Sequence, residues 1–256
     1  MSSRSNDYGR DATIGIGTPQ ANPTVEAELR IVLPPACGLV VNRLTSASSD
    51  PMQRLRDYIE RLEISLDDFD TLRPDAYGFA CTGSSYLIDA DEEARIIERI
   101  EKRLGYPIVT AVAAIRWHLA KLGVKRIALA SPYPPGLSEA ASAYWSGAGF
   151  DLVEVGRIDT GSGDTRSIYT LGSKDARQAV EAMAQLDVDA VLLSGTGMPS
   201  LKLIDDAAGC SPTLVSSNLC LANRLCDLVG LPVPAPSDWQ KRLADALDTS
   251  REVPAR

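Results

Sequence analysis

The residue best placed to do chemistry is a cysteine. Phe79-Ala-Cys81-Thr82-Gly83-Ser84-Ser85-Tyr86-Leu87 runs from an apolar stretch into small, hydroxyl-bearing turn residues. The second half carries a matching stretch, Leu193-Ser194-Gly195-Thr196-Gly197-Met198-Pro199-Ser200-Leu201, with Gly195 standing 114 residues after Cys81 and Thr-Gly following each. A thiol at the end of a buried strand is a nucleophile when ionised and a proton donor when not. Amides at a following helix N-terminus favour the thiolate and can also hold a substrate carboxylate. Glycine at the matching position offers bare backbone, which suits a tight turn and lets amides approach an anion closely. One wall of the implied cleft therefore carries a thiol and the other carries backbone.

The elements that position these loops repeat in the same order. Ile14-Gly-Ile-Gly-Thr-Pro19 answers Ile127-Ala-Leu-Ala-Ser-Pro132, and Pro107-Ile-Val-Thr-Ala answers Pro212-Thr-Leu-Val-Ser. Short apolar runs predict strands near 13–18, 29–33, 75–81, 107–110, 126–131, 151–157, 189–194 and 213–216. Helical patterns lie near 50–64, 89–104, 111–122, 136–148, 173–186, 199–208 and 218–229. Strands that are apolar almost throughout, such as Ala190-Val-Leu-Leu193, imply burial on both faces. The alternation therefore predicts an α/β fold with a parallel sheet in each half. The expected organisation is a flexible arm at 1–11, a first lobe at 12–110 plus 217–231, a second lobe at 111–216, and a tail at 232–256. Leu231-Pro-Val-Pro-Ala-Pro-Ser237 marks the end of the globular pattern, with 238–256 either one short exposed helix or loose.

The remaining candidates read blandly. Ile14-Gly15-Ile-Gly17-Thr-Pro19 lacks the third glycine of a dinucleotide fingerprint, and Pro19 removes an amide donor; no Gly-Lys-Ser/Thr occurs either. His118 is the single histidine, so neither a zinc site nor a Ser-His-Asp arrangement is supported. Cys37, Cys210, Cys220 and Cys226 read as small hydrophobes, and an odd total of 5 cysteines without a CxxC pair suits reduced thiols in a cytoplasm. A formal net charge of −8 opposes nucleic acid and anionic membrane as partners. No apolar run is long enough to span a bilayer, and the polar N-terminus has no signal-peptide core. Leu39, Val40, Leu87 and Met198 are candidates for shaping a side-group pocket. The oligomeric state is left open, helix 111–122 serving as either interface or core.

The paired strand–Cys-Thr-Gly and strand–Gly-Thr-Gly loops, with Thr18-Pro-Gln-Ala-Asn22-Pro-Thr-Val-Glu26 and Ser-Pro-Tyr133, resemble the aspartate/glutamate racemase superfamily. The branch they resemble is that of maleate isomerase and arylmalonate decarboxylase, over about 12–229. The resemblance implies two flavodoxin-like lobes related by a pseudo-twofold duplication, an active site in the cleft between them, no cofactor or metal, and chemistry α to a carboxylate. By this resemblance Cys81 is the catalytic thiol. Thr82, Gly83, Tyr133, Thr196 and Gly197 match positions that hold a carboxylate or its enediolate, and Asn22 matches a substrate-binding asparagine. Thr18, Ser84, Ser194 and Gly195 complete the substrate-binding candidates. A second asparagine of the isomerases would fall near Thr165. Racemases and isomerases of this kind carry a cysteine in each loop, and the decarboxylases carry theirs in the second; here it stands in the first, with Gly195 in place of the second.

With no protic side chain at 195, two-sided proton transfer is disfavoured. Decarboxylation of a substituted malonate-type acid needs one acid, and Cys81 supplies it. Cis–trans isomerisation needs one nucleophile, together with something to deprotonate Cys81. A non-enzymatic, two-lobed carboxylate-binding protein is the third reading.

Overall fold

The computed structural model describes residues 7–248. The first half runs β1 (Ala12–Pro19), α1 (Thr24–Val32), β2 (Cys37–Leu44), α2 (Pro51–Glu60), α3 (Leu62–Ser65), β3 (Ala76–Phe79), α4 (Thr82–Tyr86), α5 (Ala90–Leu104) and β4 (Ile108–Thr110). Helix α6 (Ala111–Lys121) leads into the second half: β5 (Arg126–Ser131), α7 (Pro135–Gly147), β6 (Asp151–Arg157), a 3-10 segment (Thr165–Thr170), α8 (Ser173–Met183), β7 (Ala190–Leu193), α9 (Leu201–Asp206) and β8 (Thr213–Ser216). Helices α10 (Ser217–Leu228) and α11 (Pro236–Leu247) follow.

The strands form two four-stranded sheets, ordered β2-β1-β3-β4 and β6-β5-β7-β8, with every pairing parallel. The second order is the first shifted by four strands, so the duplication read in the sequence is a duplication of topology. In each half the inner strands are buried on both faces, and Ile14, Ile16, Phe79, Leu129 and Leu192 are fully inaccessible. Helices on both faces explain why these strands read as continuous apolar runs. The same bond recurs where each loop leaves its sheet: Ala80 N–H donates to Gly17 O at 2.8 Å, and Ser194 N–H donates to Ala130 O at 2.9 Å. Both loops thus emerge at the carboxyl edge of their sheets, beside the end of the central strand.

One expected strand is overturned. Residues 29–32 are not extended; they end α1, whose C-cap is Leu33, and the neighbouring strand is β2, which the sequence reading missed. Asn22 Oδ1 accepts from Thr24 N at 2.9 Å and so starts the helix. Val25, Glu28, Leu29 and Val32 then fall on one buried face at helical spacing. The mostly apolar run 29–33, with Ile31 and Val32 β-branched, imitates a strand, while β2 is a half-buried edge whose Cys-Gly-Leu-Val-Val-Asn-Arg-Leu pattern is mixed. The tail is also more ordered than a loose or exposed end: α11 buries Trp239 and Leu243 and lies against α1 and α9. The arm expected at 1–11 lies partly outside the described residues, as does the end of the tail. Among the described residues no helix is long and apolar enough to cross a membrane.

Candidate active site

Cys81 is the N-cap residue of α4, in extended conformation at φ −145° and ψ 100°. Because the strand stops and the helix starts at once, the N–H groups of Gly83 and Ser84 point back at the sulfur and favour its thiolate. Burial opposes them and dominates, raising the thiol above its ordinary value. The Ser84 hydroxyl lies 3.2 Å from Cys81 Sγ and 2.6 Å from Leu55 O. Its single proton is better spent on the carbonyl, which leaves an acceptor for the S–H. Burial, outweighing the hydrogen bonds that favour the thiolate, holds Cys81 as a thiol.

The facing wall is the loop Gly195–Gly197. Gly195 stands at φ 125°, and a Cβ there would lie 3.3 Å from Pro132 Cδ. A Cβ on Gly197 would lie 2.6 Å from the Tyr169 ring. Backbone alone fits here. Among the described residues, the amides of Thr196 and Gly197 have no acceptor, whereas Gly195 N–H donates to Ser217 Oγ at 3.1 Å.

Each loop is braced by the first helix of the other half. Helix α1 holds the second loop. Asn22 Nδ2 donates to Thr196 Oγ1 at 3.3 Å and Thr24 Oγ1 donates to Gly197 O at 2.8 Å. Glu28, fully buried, accepts from the backbone N–H of Ser200 and Leu201 and from Asn218 Nδ2, which also donates to Thr196 O at 3.0 Å. Those bonds pull the Glu28 carboxyl down, but burial outweighs them and raises it. Helix α7 holds the first loop with apolar and aromatic groups. Leu137 lies against Gly83, and Trp145 packs edge-on to Tyr86 with ring centroids 6.3 Å apart.

The cleft between the loops is narrow, with a cavity of about 30 Å³ lined by Cys81, Thr82, Gly83, Tyr133, Gly195, Thr196 and Gly197. Pro19, Leu55, Leu137, Thr165, Ile168 and Tyr169 form the rest of the wall. Tyr133 Oη lies 2.6 Å from Thr82 Oγ1 and 3.0 Å from Ser194 Oγ. Burial raises its phenol far beyond the ordinary range, so it is a neutral hydrogen-bonding group. At the mouth the buried Arg54 reaches across to Asp164 at 2.5 Å, and Asp164 also pairs with Arg166. Arg166, first by hydrogen bonding, overcomes partial burial and holds the Asp164 carboxyl down at about 2. Two wider grooves of about 450 and 440 Å³ flank α6, and no cysteine lines either.

The structure therefore gathers Cys81, Thr82, Gly83, Tyr133, Gly195, Thr196 and Gly197 around one cavity, with Thr165 beside them. Ser84 and Ser194 lie just behind it. Thr18 and Asn22 are buried without lining it: Thr18 Oγ1 has no partner among the described residues, and the Asn22 amide is used in capping α1 and holding Thr196. None of Leu39, Val40, Leu87 and Met198 lines the cavity; Leu55, Leu137, Ile168 and Tyr169 do. Sequence reading also missed Glu28, Arg54, Tyr86, Trp145 and Asp164, whose partners come from distant segments. A signal for Glu28 was present, since it is a charge on the apolar stripe of a helix. His118 lies on α6 next to Trp117, away from the cavity, with its imidazole pushed down by burial and by Lys121.

A family model described as arylmalonate decarboxylase matches residues 36–238. A maleate isomerase from Geobacillus stearothermophilus is 26% identical over 212 residues, covering 75% of this chain and 80% of the relative. Among solved structures, a maleate isomerase from Pseudomonas putida S16 with maleate superposes with a TM-score of 0.78 at 20% identity, over 88% of this chain and 95% of that one. A Nocardia farcinica maleate cis-trans isomerase, a cysteine-to-serine variant with a covalently bound succinylcysteine intermediate, gives 0.76 at 20% identity over 89% and 98%. An arylmalonate decarboxylase gives 0.64 at 21% identity over 85% and 92%. At these identities the superpositions establish the fold.

Proposed function

The chain belongs to the arylmalonate decarboxylase family, and on that premise we propose that it decarboxylates a small, substituted malonate-type acid with Cys81 as the proton donor. The observation that carries this reading is a lone thiol, held protonated by burial, that faces a glycine instead of a second acid or base. The retained carboxylate takes donors from the Thr82–Tyr133 pair and from the Thr196 and Gly197 amides. The leaving carboxylate lies against Leu55, Leu137 and Ile168, where an unpaired charge is costly. The bond from the α-carbon to that carboxylate breaks, carbon dioxide departs, and the electron pair enters the retained carboxylate as an enediolate. Donors aimed at that charge are each worth about 3–4 kcal/mol in comparable sites. The Cys81 S–H then delivers its proton to the α-carbon from one face. The resulting thiolate is met by the Gly83 and Ser84 amides until water reprotonates it. Steady-state decarboxylation of methylmalonate-sized acids tests the reading; undiminished turnover by Cys81→Ala would sink it.

A second reading, cis–trans isomerisation of maleate, is favoured by those same two amides, which stabilise a thiolate nucleophile. The curated isomerase relative and the succinylcysteine held by the Nocardia farcinica variant support it. Under turnover with maleate it predicts a Cys81 adduct in intact-mass spectra; none is expected from decarboxylation.

A further inference from the structure

We propose that Tyr86, anchored by Trp145, is a positioning residue that orients a chain of hydroxyl protons so that the Thr82–Tyr133 pair always presents one donor to an anion beside Cys81. The argument is an accounting of protons. Trp145 Nε1–H is a donor only, and it donates to Tyr86 Oη at 3.0 Å. Tyr86 is buried, and the one remaining partner of its hydroxyl among the described residues is Ser194 Oγ at 2.8 Å. Its proton must therefore go to Ser194. Ser194, having accepted from Tyr86, sends its own proton to its other neighbour, Tyr133 Oη, at 3.0 Å. Tyr133 now receives a proton from behind, so nothing behind it can take its own.

Tyr133 and Thr82 share one bond of 2.6 Å and hold two hydroxyl protons. One lies in that bond. The other has no acceptor among the described residues, and both side chains line the cavity. The equivalent threonine in the second loop behaves oppositely. Thr196 Oγ1 accepts from Asn22 and donates to Ala80 O at 2.9 Å, so its proton is already committed. Of the two repeat-related threonines, only Thr82 belongs to a pair with a donor to spare. Neither Tyr86 nor Trp145 touches the cavity; they act through Ser194.

The inference rests on the reading of Thr82 and Tyr133 as carboxylate holders, but its test needs no turnover. Cys81 is alkylated with iodoacetate and with iodoacetamide, and the rate at that peptide is read by mass spectrometry. The ratio of the two rates cancels thiol ionisation and reports how well the cleft receives a carboxylate. In Tyr86→Phe, Ser194 Oγ is freed to accept the Tyr133 proton, the pair can turn inward, and the ratio should fall about tenfold. Ser194→Ala alone removes that acceptor and should keep the ratio within about twofold of wild type. The double variant Tyr86→Phe/Ser194→Ala should recover the lost ratio, which a merely structural role for Tyr86 would not give. An unchanged ratio in folded Tyr86→Phe, an equal fall in Ser194→Ala, or a further fall in the double variant overturns the proposal. So does a wild type that shows no preference for iodoacetate or reacts with neither reagent at Cys81, because the cleft would then receive no carboxylate.

Discussion

Tyr133→Phe separates what the phenol does for folding from what it does for catalysis. The hydroxyl makes two bonds, at 2.6 Å to Thr82 Oγ1 and 3.0 Å to Ser194 Oγ. The ring itself stays packed edge-on against Tyr86, with centroids 6.0 Å apart, so the substitution leaves no large cavity. Two neutral hydrogen bonds are worth about 1 kcal/mol each. Ser194 keeps Tyr86 as a partner and Thr82 faces the cleft, so the net loss of stability is about 1–2 kcal/mol. For a chain of this size that lowers Tm by roughly 2–8 °C, which leaves the protein folded at 25 °C. The catalytic cost is larger, because the enediolate loses a preorganised donor or the bond that orients one; kcat should fall by about 10²–10³. Calorimetry on both proteins, paired with steady-state rates on the acid that wild type decarboxylates, measures the two effects separately. A kcat within about threefold of wild type would refute the donor role. An unchanged Tm would refute the bonds themselves.

The pH profile discriminates between the two chemistries. Burial raises the Cys81 thiol above its ordinary value, so a proton-donor mechanism gives activity that is flat through neutrality and falls as pH rises through that raised value. A nucleophilic mechanism gives activity that climbs over the same range. Asp164→Ala leaves the buried Arg54 guanidinium without its cross-cleft carboxylate and should cost about 3 kcal/mol in denaturant unfolding at pH 7. The Asp164 carboxyl is held down at about 2, so its stabilising contribution is present above the unfolded value near 4. That contribution is lost as pH falls through about 2, and the gap between wild type and variant should close there. Gly197→Ala forces a Cβ to within 2.6 Å of the Tyr169 ring. It should lower stability by about 1–3 kcal/mol through overpacking, with a shift in KM because Tyr169 lines the cavity. Unchanged stability in that variant would mean the loop is looser than its contacts indicate.

What was legible in the sequence follows from what is local or repeated. The paired loops carry their own turn chemistry, and the central strands β1, β3, β5 and β7 are apolar because helices cover both faces. The duplication then placed Cys81 opposite Gly195 from the sequence alone. The edge strand β2 was hidden because one of its faces is only half covered, and the β-branched end of α1 looked more like a strand than β2 did. The braces were hidden for another reason. Glu28 meets Ser200 and Asn218, which lie 172 and 190 residues away, and Tyr86 meets Ser194, 108 residues away. Nothing in the spacing of Tyr86 announces a partner. Nor does the sequence mark Trp145 out among the apolar residues of α7, although its indole N–H donates to Tyr86 Oη.

The most direct measurement is the fate of hydrogen at the α-carbon. Proton NMR in D2O of a panel of methyl-sized malonates and maleate, with wild type and with Cys81→Ala, reads bond cleavage, isomerisation and stereochemistry together. The account predicts loss of one carboxyl group, a single deuterium delivered to one face, and no reaction in Cys81→Ala. Deuterium on both faces, product formation that survives the substitution, or conversion of maleate to fumarate without decarboxylation of any malonate would contradict it.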